Sequence, residues 1–291
     1  MIESAGRDTL RRFREHPRDW RGFRYVYPVL SRRARGLSIG VNLNPDKACN
    51  FDCIYCQVDR TTPPRVRRVD LDTLHRELDG LLADALSGAI FAEPEFVNVP
   101  AELRRVNDIA FSGDGEPTTC PLFYECVQLA ATLKERHHAE DLKLVLITDA
   151  AYLSQPKVVA ALEIMDRTNG EIWAKLDGGT EAYFRRVNRP NLTLSQVVDN
   201  ITAAARLRPV TIQSLFARID GQPPSDEEIR AYCDRLLAIR DSGGAIRLVQ
   251  VYTVARRPAE ATVTALGCDE LDTIAGTVAE RTSLAVEKFY G

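Results

Sequence analysis

Three cysteines stand close together in the first fifth of the chain. They are Cys49, Cys53 and Cys56, spaced as C-x3-C-x2-C. Thiolates this close on one loop can hold three corners of an iron–sulfur cube, because cysteine thiolate is the usual protein ligand of such clusters. A cube has four irons, and this stretch offers no fourth cysteine. One iron is left open, and an open coordination position indicates a reaction site rather than a structural one, as it does at zinc sites.

A zinc site and a disulfide are the alternatives for the same cysteines. A structural zinc ion normally has four protein ligands, but the next cysteine is Cys120 and His75 is the one nearby imidazole. A disulfide is disfavoured because the amino-terminal stretch is polar throughout and lacks the apolar region of a secretory signal. The trio is therefore predicted to hold a cluster in a reducing compartment.

A second candidate stretch is Gly113-Asp114-Gly115-Glu116, which directly follows the apolar run 106–111. Its two glycines permit a positive φ or a close approach of the backbone to a ligand. Glu116 then stands just past the end of the predicted strand. A lone Gly-x-Gly is usually a turn, but the position one strand–helix unit after the cysteines favours a ligand-binding loop.

Further polar residues follow or line the later predicted strands. They are Asp149, Lys175, Asp177, Gln213 and Gln250. Lys175 and Asp177 share a face by the two-residue period of a strand. Buried charges need partners, so these two are expected to pair with each other or with a ligand.

Four arginines in the second half of the chain are candidates for an anionic substrate. They are Arg185, Arg189, Arg256 and Arg257. The alternative is that they are charged residues of solvent-exposed loops, and the sequence leaves both interpretations open.

Apolar runs and amphipathic stretches alternate along the chain. Strands are predicted at 37–43, 106–111, 142–147, 171–176, 210–216 and 246–253, with helices between them and at 269–281. This alternation predicts an α/β fold of six parallel βαβ units. The candidate residues follow the carboxyl ends of the strands, where the active sites of α/β barrels lie.

The C-x3-C-x2-C spacing, with Tyr55 just before the last cysteine, resembles the signature of the radical S-adenosylmethionine (SAM) superfamily. The resemblance implies a partial (β/α)6 TIM-like barrel, a [4Fe–4S] cluster and SAM as cofactors. In that family the amino and carboxylate groups of SAM chelate the open iron. Reductive cleavage then yields methionine and a 5′-deoxyadenosyl radical, while the protein supplies binding and orientation.

The resemblance also implies roles for particular residues. Gly-Asp-Gly-Glu is similar to the family's Gly-Gly-Glu segment, so residues 113–116 are expected to contact SAM, with Glu116 at its amino group. Tyr55 and Gln57 are expected beside the adenine. Asp149 is expected either at a ribose hydroxyl or as a helix cap. The remaining cofactor contacts implied are Lys175, Asp177, Gln213 and Gln250.

Three further segments narrow the resemblance to a subgroup related to the wyosine-forming tRNA enzymes. They are Pro28-Val29-Leu30-Ser31-Arg32-Arg33, Lys175-Leu176-Asp177 and residues 183–190. The chain departs from that subgroup at Thr148-Asp149-Ala150, where its members tend to have Thr-Asn-Gly. This departure leaves the role of Asp149 open.

Charge is distributed unevenly along the 291 residues. The whole chain has a net charge of −3, but residues 1–36 carry ten arginines against four acidic residues. We therefore interpret 1–36 as a basic extension and 37–291 as the radical SAM core, ending in a helix and a short strand. The extension either meets RNA or another anion, or is a solvated helix and loop. No run of 18 apolar residues is present, so we expect a cytoplasmic protein with no membrane partner.

Three function classes follow. The first is a radical SAM enzyme acting on a small molecule, peptide or protein; the second acts on tRNA; the third is a non-enzymatic metal or iron–sulfur protein. The basic extension favours tRNA, and the acidic remainder opposes it. An enzyme of this type also needs a reducing electron donor such as flavodoxin or ferredoxin.

Overall fold

The computed structural model describes residues 20–256, 258 and 260–291. The sequence also favours a short helix at 7–16. This segment, half of the arginines of the basic extension and Arg257 lie outside the described residues. No described helix combines the length and the apolar character needed to cross a membrane.

The described residues contain ten strands. They are β1 (Val26–Ser31), β2 (Gly36–Val41), β3 (Val106–Phe111), β4 (Lys143–Thr148), β5 (Gly170–Lys175), β6 (Val210–Leu215), β7 (Ala217–Ile219), β8 (Ile246–Tyr252), β9 (Val263–Ala265) and β10 (Val286–Phe289). Eight of them form one sheet in the order β1-β2-β3-β4-β5-β6-β8-β10, and β7 pairs with β9.

Seven α-helices connect these strands within the described residues. They are α1 (Leu71–Leu86), α2 (Phe123–Arg136), α3 (Pro156–Arg167), α4 (Glu181–Asn188), α5 (Leu194–Leu207), α6 (Asp226–Asp241) and α7 (Cys268–Thr282). Short 3-10 turns lie at Ala89–Ala92, Ala101–Leu103 and Pro117–Thr119. The six predicted strands and the predicted α/β class are confirmed.

Pairing is parallel from β2 to β3, β3 to β4, β5 to β6, β6 to β8 and β8 to β10. Strand β1 is the exception, because it runs antiparallel to β2 in a hairpin that joins Ser31 to Gly36. The sequence analysis missed this strand and placed its residues in the extension. Pro28 has no N–H to donate, but β1 is an edge strand, where proline is tolerated.

One compact unit comprises residues up to 48, 64–146 and 160–170. Helix α1 presents an apolar face at three- and four-residue steps, as predicted. Its buried leucines are Leu74, Leu78, Leu81 and Leu82. Glu77 is buried beside them, and its carboxylate accepts hydrogen bonds from the backbone N–H groups of Arg24 and Tyr25 at 2.8 and 2.9 Å. These bonds fix the start of β1.

The other compact unit comprises residues 49–63, 147–159 and 171–291. The Ser225 and Glu228 spacing at the start of α6 predicts a capping box, and the structure has only half of it. The Ser225 hydroxyl accepts a hydrogen bond from the Glu228 N–H at 3.2 Å. The Glu228 carboxylate instead accepts from the N–H of Gly179 and, at 2.6 Å, from the Thr180 hydroxyl. Because Thr180 is the N-cap of α4, this buried carboxylate anchors the start of a helix that was not predicted.

Candidate functional site

The three candidate cluster ligands lie in the second unit, form no disulfide and are of intermediate exposure. Three other cysteines, Cys120, Cys126 and Cys233, are free and buried. A thiol that takes up a group from solution has to be reachable, so the exposure separates the trio from the buried cysteines.

The carboxyl end of α4 fastens the cysteine loop. The N–H of Asp52 donates to the carbonyl of Asn188 at 3.1 Å, and the N–H of Ile54 donates to the carbonyl of Val187 at 2.9 Å. The last four carbonyls of any helix lack partners within the helix, so the end of α4 offers acceptors to a neighbouring segment. Cys53 is therefore flanked on both sides by residues that are tied to this helix.

Apolar contacts reinforce the same junction. The rings of Phe51 and Phe184 meet edge to face with centroids 5.7 Å apart. Ile54 and Val187 are buried in one apolar cluster that also contains Leu215. The loop is thus held by side chains as well as by the backbone.

A buried carboxylate, Asp177, lies next to the loop. Its Oδ2 accepts hydrogen bonds from the Tyr55 hydroxyl and, at 2.8 Å, from Asn188 Nδ2. Its Oδ1 accepts from the N–H of Leu215 at 2.9 Å. The residue is 1% exposed. Asp177 therefore joins the cysteine loop, α4 and the end of β6.

Lys175 is the charged partner of this carboxylate. Its ammonium lies 3.6 Å from Asp177 Oδ2 and donates to the Tyr252 hydroxyl at 2.8 Å. It also lies 4.9 Å from the ring centroid of Tyr55 and 5.5 Å from that of Tyr252. Burial is the largest influence and disfavours the ammonium, but Asp177, Tyr252 and Cys53 together outweigh it, and the pKa of Lys175 is raised. Pairing within the chain is one of the two outcomes predicted for these charges.

The surroundings also raise the pKa values of two acidic groups on the cysteine loop, those of Cys53 and Tyr55. Burial, opposed in part by the charge of Lys175, raises the pKa of the Cys53 thiol to about 12. Burial and the adjacent Asp177 carboxylate raise the pKa of Tyr55. Without a bound cation, both side chains are therefore neutral at pH 7.

The two candidate glutamines lie opposite each other on adjacent strands. Gln213 is in register with Lys175 on β5 and with Gln250 on β8. Gln213 Nε2 donates to Gln250 Oε1 at 2.8 Å, and both residues are buried. The structure thus brings Lys175, Gln213 and Gln250 into one polar row across three strands.

The candidate arginines that the structure describes make contacts within the protein. Arg185 pairs with Glu181 at 2.7 Å, one helical turn away. Arg189 pairs with Glu260 and lies 3.5 Å from Asp52 on the cysteine loop.

The cysteine loop also contacts the segment that contains the candidate residue Arg256. Gln57 is exposed, and its Nε2 donates to the carbonyl of Arg256 at 3.0 Å. The guanidinium of Arg60 lies 3.8 Å from the Cys56 sulfur. The carboxyl end of the cysteine loop is thus tied to the segment after β8.

In the first unit, the Gly-Asp-Gly-Glu loop packs against two asparagines that sequence reasoning missed, Asn42 and Asn44. Asn42 Nδ2 donates to Asp114 Oδ2 at 2.7 Å, and its Oδ1 accepts from the Asp114 N–H at 3.1 Å. A Cβ at Gly113 would overlap Asn42 Oδ1, and one at Gly115 would overlap the Ala48 carbonyl oxygen and crowd Asn44. Both glycines are therefore required by close approach of the chain segment that leads into the cysteines.

Glu116 begins the 3-10 turn that follows. Its Oε1 accepts from the Thr118 N–H at 3.1 Å and from the Thr118 hydroxyl at 2.5 Å. The residue is 3% exposed. The carboxylate is thus held in one orientation by its own turn.

Asp149 follows strand β4 in a strained turn. Its Oδ1 accepts from the Ala151 N–H at 2.9 Å. Ala150 has a φ of +66°, a conformation that favours glycine. This explains why glycine suits the position in the related subgroup. Asn200 holds the turn by donating to the carbonyls of Ala150 and Ala151.

Comparison with known families decides which site this is. The sequence profile of the radical SAM superfamily matches residues 43–236, which include the cysteine loop, the Gly-Asp-Gly-Glu loop and strands β3 to β7. The chain belongs to the radical SAM superfamily. Its members are iron–sulfur enzymes.

Curated relatives of this radical SAM chain match part of their own length. A UPF0026 protein of Helicobacter pylori strain J99 is 24% identical over 214 residues, 73% of this chain and 61% of the relative. A UPF0026 protein of Methanocaldococcus jannaschii is 28% identical over 185 residues, 60% of this chain and 48% of the relative. The chain thus spans about half to three fifths of these relatives.

Two solved radical SAM structures share the fold. The structure of native anSMEcpe with bound AdoMet aligns with a TM-score of 0.58 at 12% identity, over 86% of this chain and 63% of that one. The structure of TYW1, a wyosine-forming enzyme, with a lysine–pyruvate adduct bound aligns with a TM-score of 0.50 at 14% identity, over 86% and 74%. The chain therefore has the partial (β/α)6 barrel fold predicted from its sequence.

The donor chemistry of this radical SAM chain fits an iron–sulfur group. Asn50, between the first two cysteines, has both side-chain amide atoms buried and without a hydrogen-bond partner among the described residues. Such atoms favour a bound group in contact with the loop, since unpaired buried polar atoms are costly. Across the described part of the chain, no three His, Cys, Asp or Glu side chains converge to hold a metal ion.

The asparagines that contact these loops were missed because the sequence carries no signal for them. Asn42 and Asn44 form an Asn-x-Asn pattern after β2, and such a pattern is common in turns. Asn188 was quoted as part of a resembling segment, but without the helix end that places it. Only the structure shows that it contacts the cysteine loop.

Proposed function

We propose that this chain is a radical SAM enzyme in which Cys49, Cys53 and Cys56 hold a [4Fe–4S] cluster. The observation that carries the proposal is the set of three solvent-reachable thiols, outside any disulfide, on one loop fastened by the end of α4. The bound cofactors would supply an electron that cleaves SAM and a 5′-deoxyadenosyl radical that takes hydrogen from a substrate. The chain itself binds, orients and shields them.

We assign the amino group of SAM to Glu116 and to the backbone of Gly113, Asp114 and Gly115. The fixed carboxylate of Glu116 supports this role, because a preset acceptor loses little freedom when an ammonium binds. Tyr55 and Gln57 are assigned to the adenine, and Asp149 to a ribose hydroxyl.

The polar row of the second unit supplies the remaining proposed cofactor contacts. These are Lys175, Asp177, Gln213 and Gln250. Lys175, Gln213 and Gln250 are in register on three adjacent strands, and Asp177, Gln213 and Gln250 are buried, which supports the assignment because buried amides and charges orient polar ligands. The raised pKa of Lys175 keeps it a cation, which suits binding of an anionic group rather than nucleophilic attack.

Substrate identity has two candidates. The first is a small molecule or peptide with an anionic group, met by Arg185, Arg189, Arg256 and Arg257. The second is tRNA, favoured by the ten arginines of residues 1–36 and by the fold shared with TYW1. A flavodoxin or ferredoxin would deliver the electron in either case.

Anaerobic reconstitution with iron and sulfide, followed by reduction and addition of SAM, tests the chemistry. Release of 5′-deoxyadenosine is expected from the wild type and is lost in Cys53→Ala. The matched control is Cys268→Ala, which removes an exposed cysteine outside the loop and should leave the product unchanged. Zinc at the trio with no cluster formed would overturn the proposal. A stable cluster with no SAM cleavage under any donor would favour the non-enzymatic class.

A further inference from the structure

Asn188 brings a buried amide to the cysteine loop. The residue is 1% exposed and is the last of α4. Its Nδ2 lies 2.8 Å from Asp177 Oδ2, 3.4 Å from the Cys53 sulfur and 3.4 Å from the Tyr55 hydroxyl. One NH2 group thus faces a carboxylate and a cysteine sulfur together.

Chemistry fixes the orientation of this amide. An ionised carboxylate only accepts hydrogen bonds, so Asn188 has to turn its nitrogen, not its oxygen, toward Asp177. The amide nitrogen carries two hydrogens, and the second is available to the sulfur of Cys53. Asn188 Oδ1 is left buried without a partner among the described residues. The fold keeps this orientation although an unpaired buried oxygen is unfavourable.

The backbone holds donor and sulfur at this distance. The carbonyl of Asn188 accepts from the N–H of Asp52, and the carbonyl of Val187 accepts from the N–H of Ile54. Cys53 lies between the two donors of these bonds. Its sulfur is therefore held in place relative to the Asn188 amide from both sides.

We infer that Asn188 is a positioning residue that donates a hydrogen bond to the sulfur of Cys53 and thereby raises the reduction potential of the cluster. The inference rests on the proposed function. Electron density on the cluster sulfurs increases on reduction, so an N–H donor at a ligand sulfur stabilises the reduced state. Hydrogen bonds to the sulfurs are one of the factors that set the potential of such clusters.

Redox titration of the reconstituted protein, followed by electron paramagnetic resonance, tests the inference. The variants are Asn188→Leu, close to isosteric without a donor, and Asn188→Ala. In each we expect the reduction equilibrium to shift about tenfold toward the oxidised cluster, which for one electron is about 59 mV more negative.

Two controls separate this effect from a loosened structure. Val187→Ala removes packing at the same junction but keeps the Asn188 amide, so it should lower thermal stability and leave the potential near that of the wild type. Asn191→Ala removes an exposed asparagine three residues further on and should change neither quantity.

The outcomes are distinguishable. A negative shift in both Asn188 variants that Val187→Ala does not share supports the inference. Folded Asn188 variants that fail to retain a cluster, while Val187→Ala retains it, also support a positioning role. A wild-type potential in both Asn188 variants overturns the inference and leaves the proposed function intact. A wild type that forms no cluster overturns the proposed function, and the inference with it.

Discussion

A single carboxylate, Asp177, ties together residues that lie far apart in the sequence. It accepts hydrogen bonds from Tyr55, Asn188 and the backbone of Leu215, and it balances the charge of Lys175. All of these groups are largely withdrawn from water. Removing the carboxylate would leave a buried ammonium and three donors without their acceptor.

We therefore expect Asp177→Ala to lower the free energy of unfolding by about 3–5 kcal/mol, the usual effect of breaking a buried ion pair from one side. Urea denaturation of the protein without cofactors measures it. Asp234→Ala serves as the control, since it removes an exposed ion pair with Arg281 and should change stability by less than about 1 kcal/mol. Equal effects of the two substitutions would contradict the central role of Asp177.

At the scale of residues, the periodicity of the sequence predicts which side chains share one face of a strand. The two-residue spacing of Lys175 and Asp177 predicted a shared face and pairing either with each other or with a ligand, and the structure has the mutual pair. The hydrogen bonds from Asn188 were beyond reach, because they depend on where α4 ends. No single-residue propensity determines that point.

At the scale of elements, the Gly-Asp-Gly-Glu loop shows how the close approach of one segment limits the size of the side chains in another. Gly115 has no room for a side chain because the Ala48 carbonyl occupies the space, whereas a Cβ at Gly80 on α1 would meet no atom within 4 Å. Glycine is required at the first position and is a cost to the helix at the second.

This contrast makes a paired prediction. Gly115→Ala should destabilise the protein by about 3 kcal/mol, because backbone atoms on both sides have to shift. Gly80→Ala should stabilise it by about 1 kcal/mol through helix propensity. Thermal unfolding of both variants, compared with that of the wild type, tests the two expected changes in stability. A tolerated alanine at position 115 would show that the approach to Ala48 is not a constraint.

Two errors of the sequence-based prediction, at strand β1 and at Glu228, are also explained at the scale of secondary-structure elements. Strand β1 was missed because Pro28 and the arginines around it are unusual in a strand, and only its edge position makes the proline harmless. Glu228 has the spacing of a capping box, yet its carboxylate serves α4, some fifty residues earlier. The edge position of β1 and the distant partner of Glu228 overrode the local patterns, whereas β2 to β6 and β8 were predictable from apolar runs alone.

At the scale of the whole molecule, charge separates the two substrate candidates. The net charge of the chain is −3, but its first 36 residues are strongly basic. A protein that neutralises phosphates with arginine releases counterions, so its affinity falls steeply with salt. A small-molecule enzyme has no such requirement for its amino-terminal arginines.

The tRNA candidate therefore predicts that the triple variant Arg11→Gln, Arg12→Gln, Arg14→Gln binds tRNA more weakly than the wild type. Fluorescence anisotropy between about 50 and 200 mM salt should show a shallower salt slope, by about one unit for each arginine that contacts a phosphate. A charge-matched control replaces the exposed residues Arg230, Arg240 and Arg247 by glutamine. Equal losses in the two variants would indicate non-specific attraction. No binding by the wild type would leave the small-molecule or peptide class, because an RNA-modifying enzyme has to hold its substrate before the radical forms.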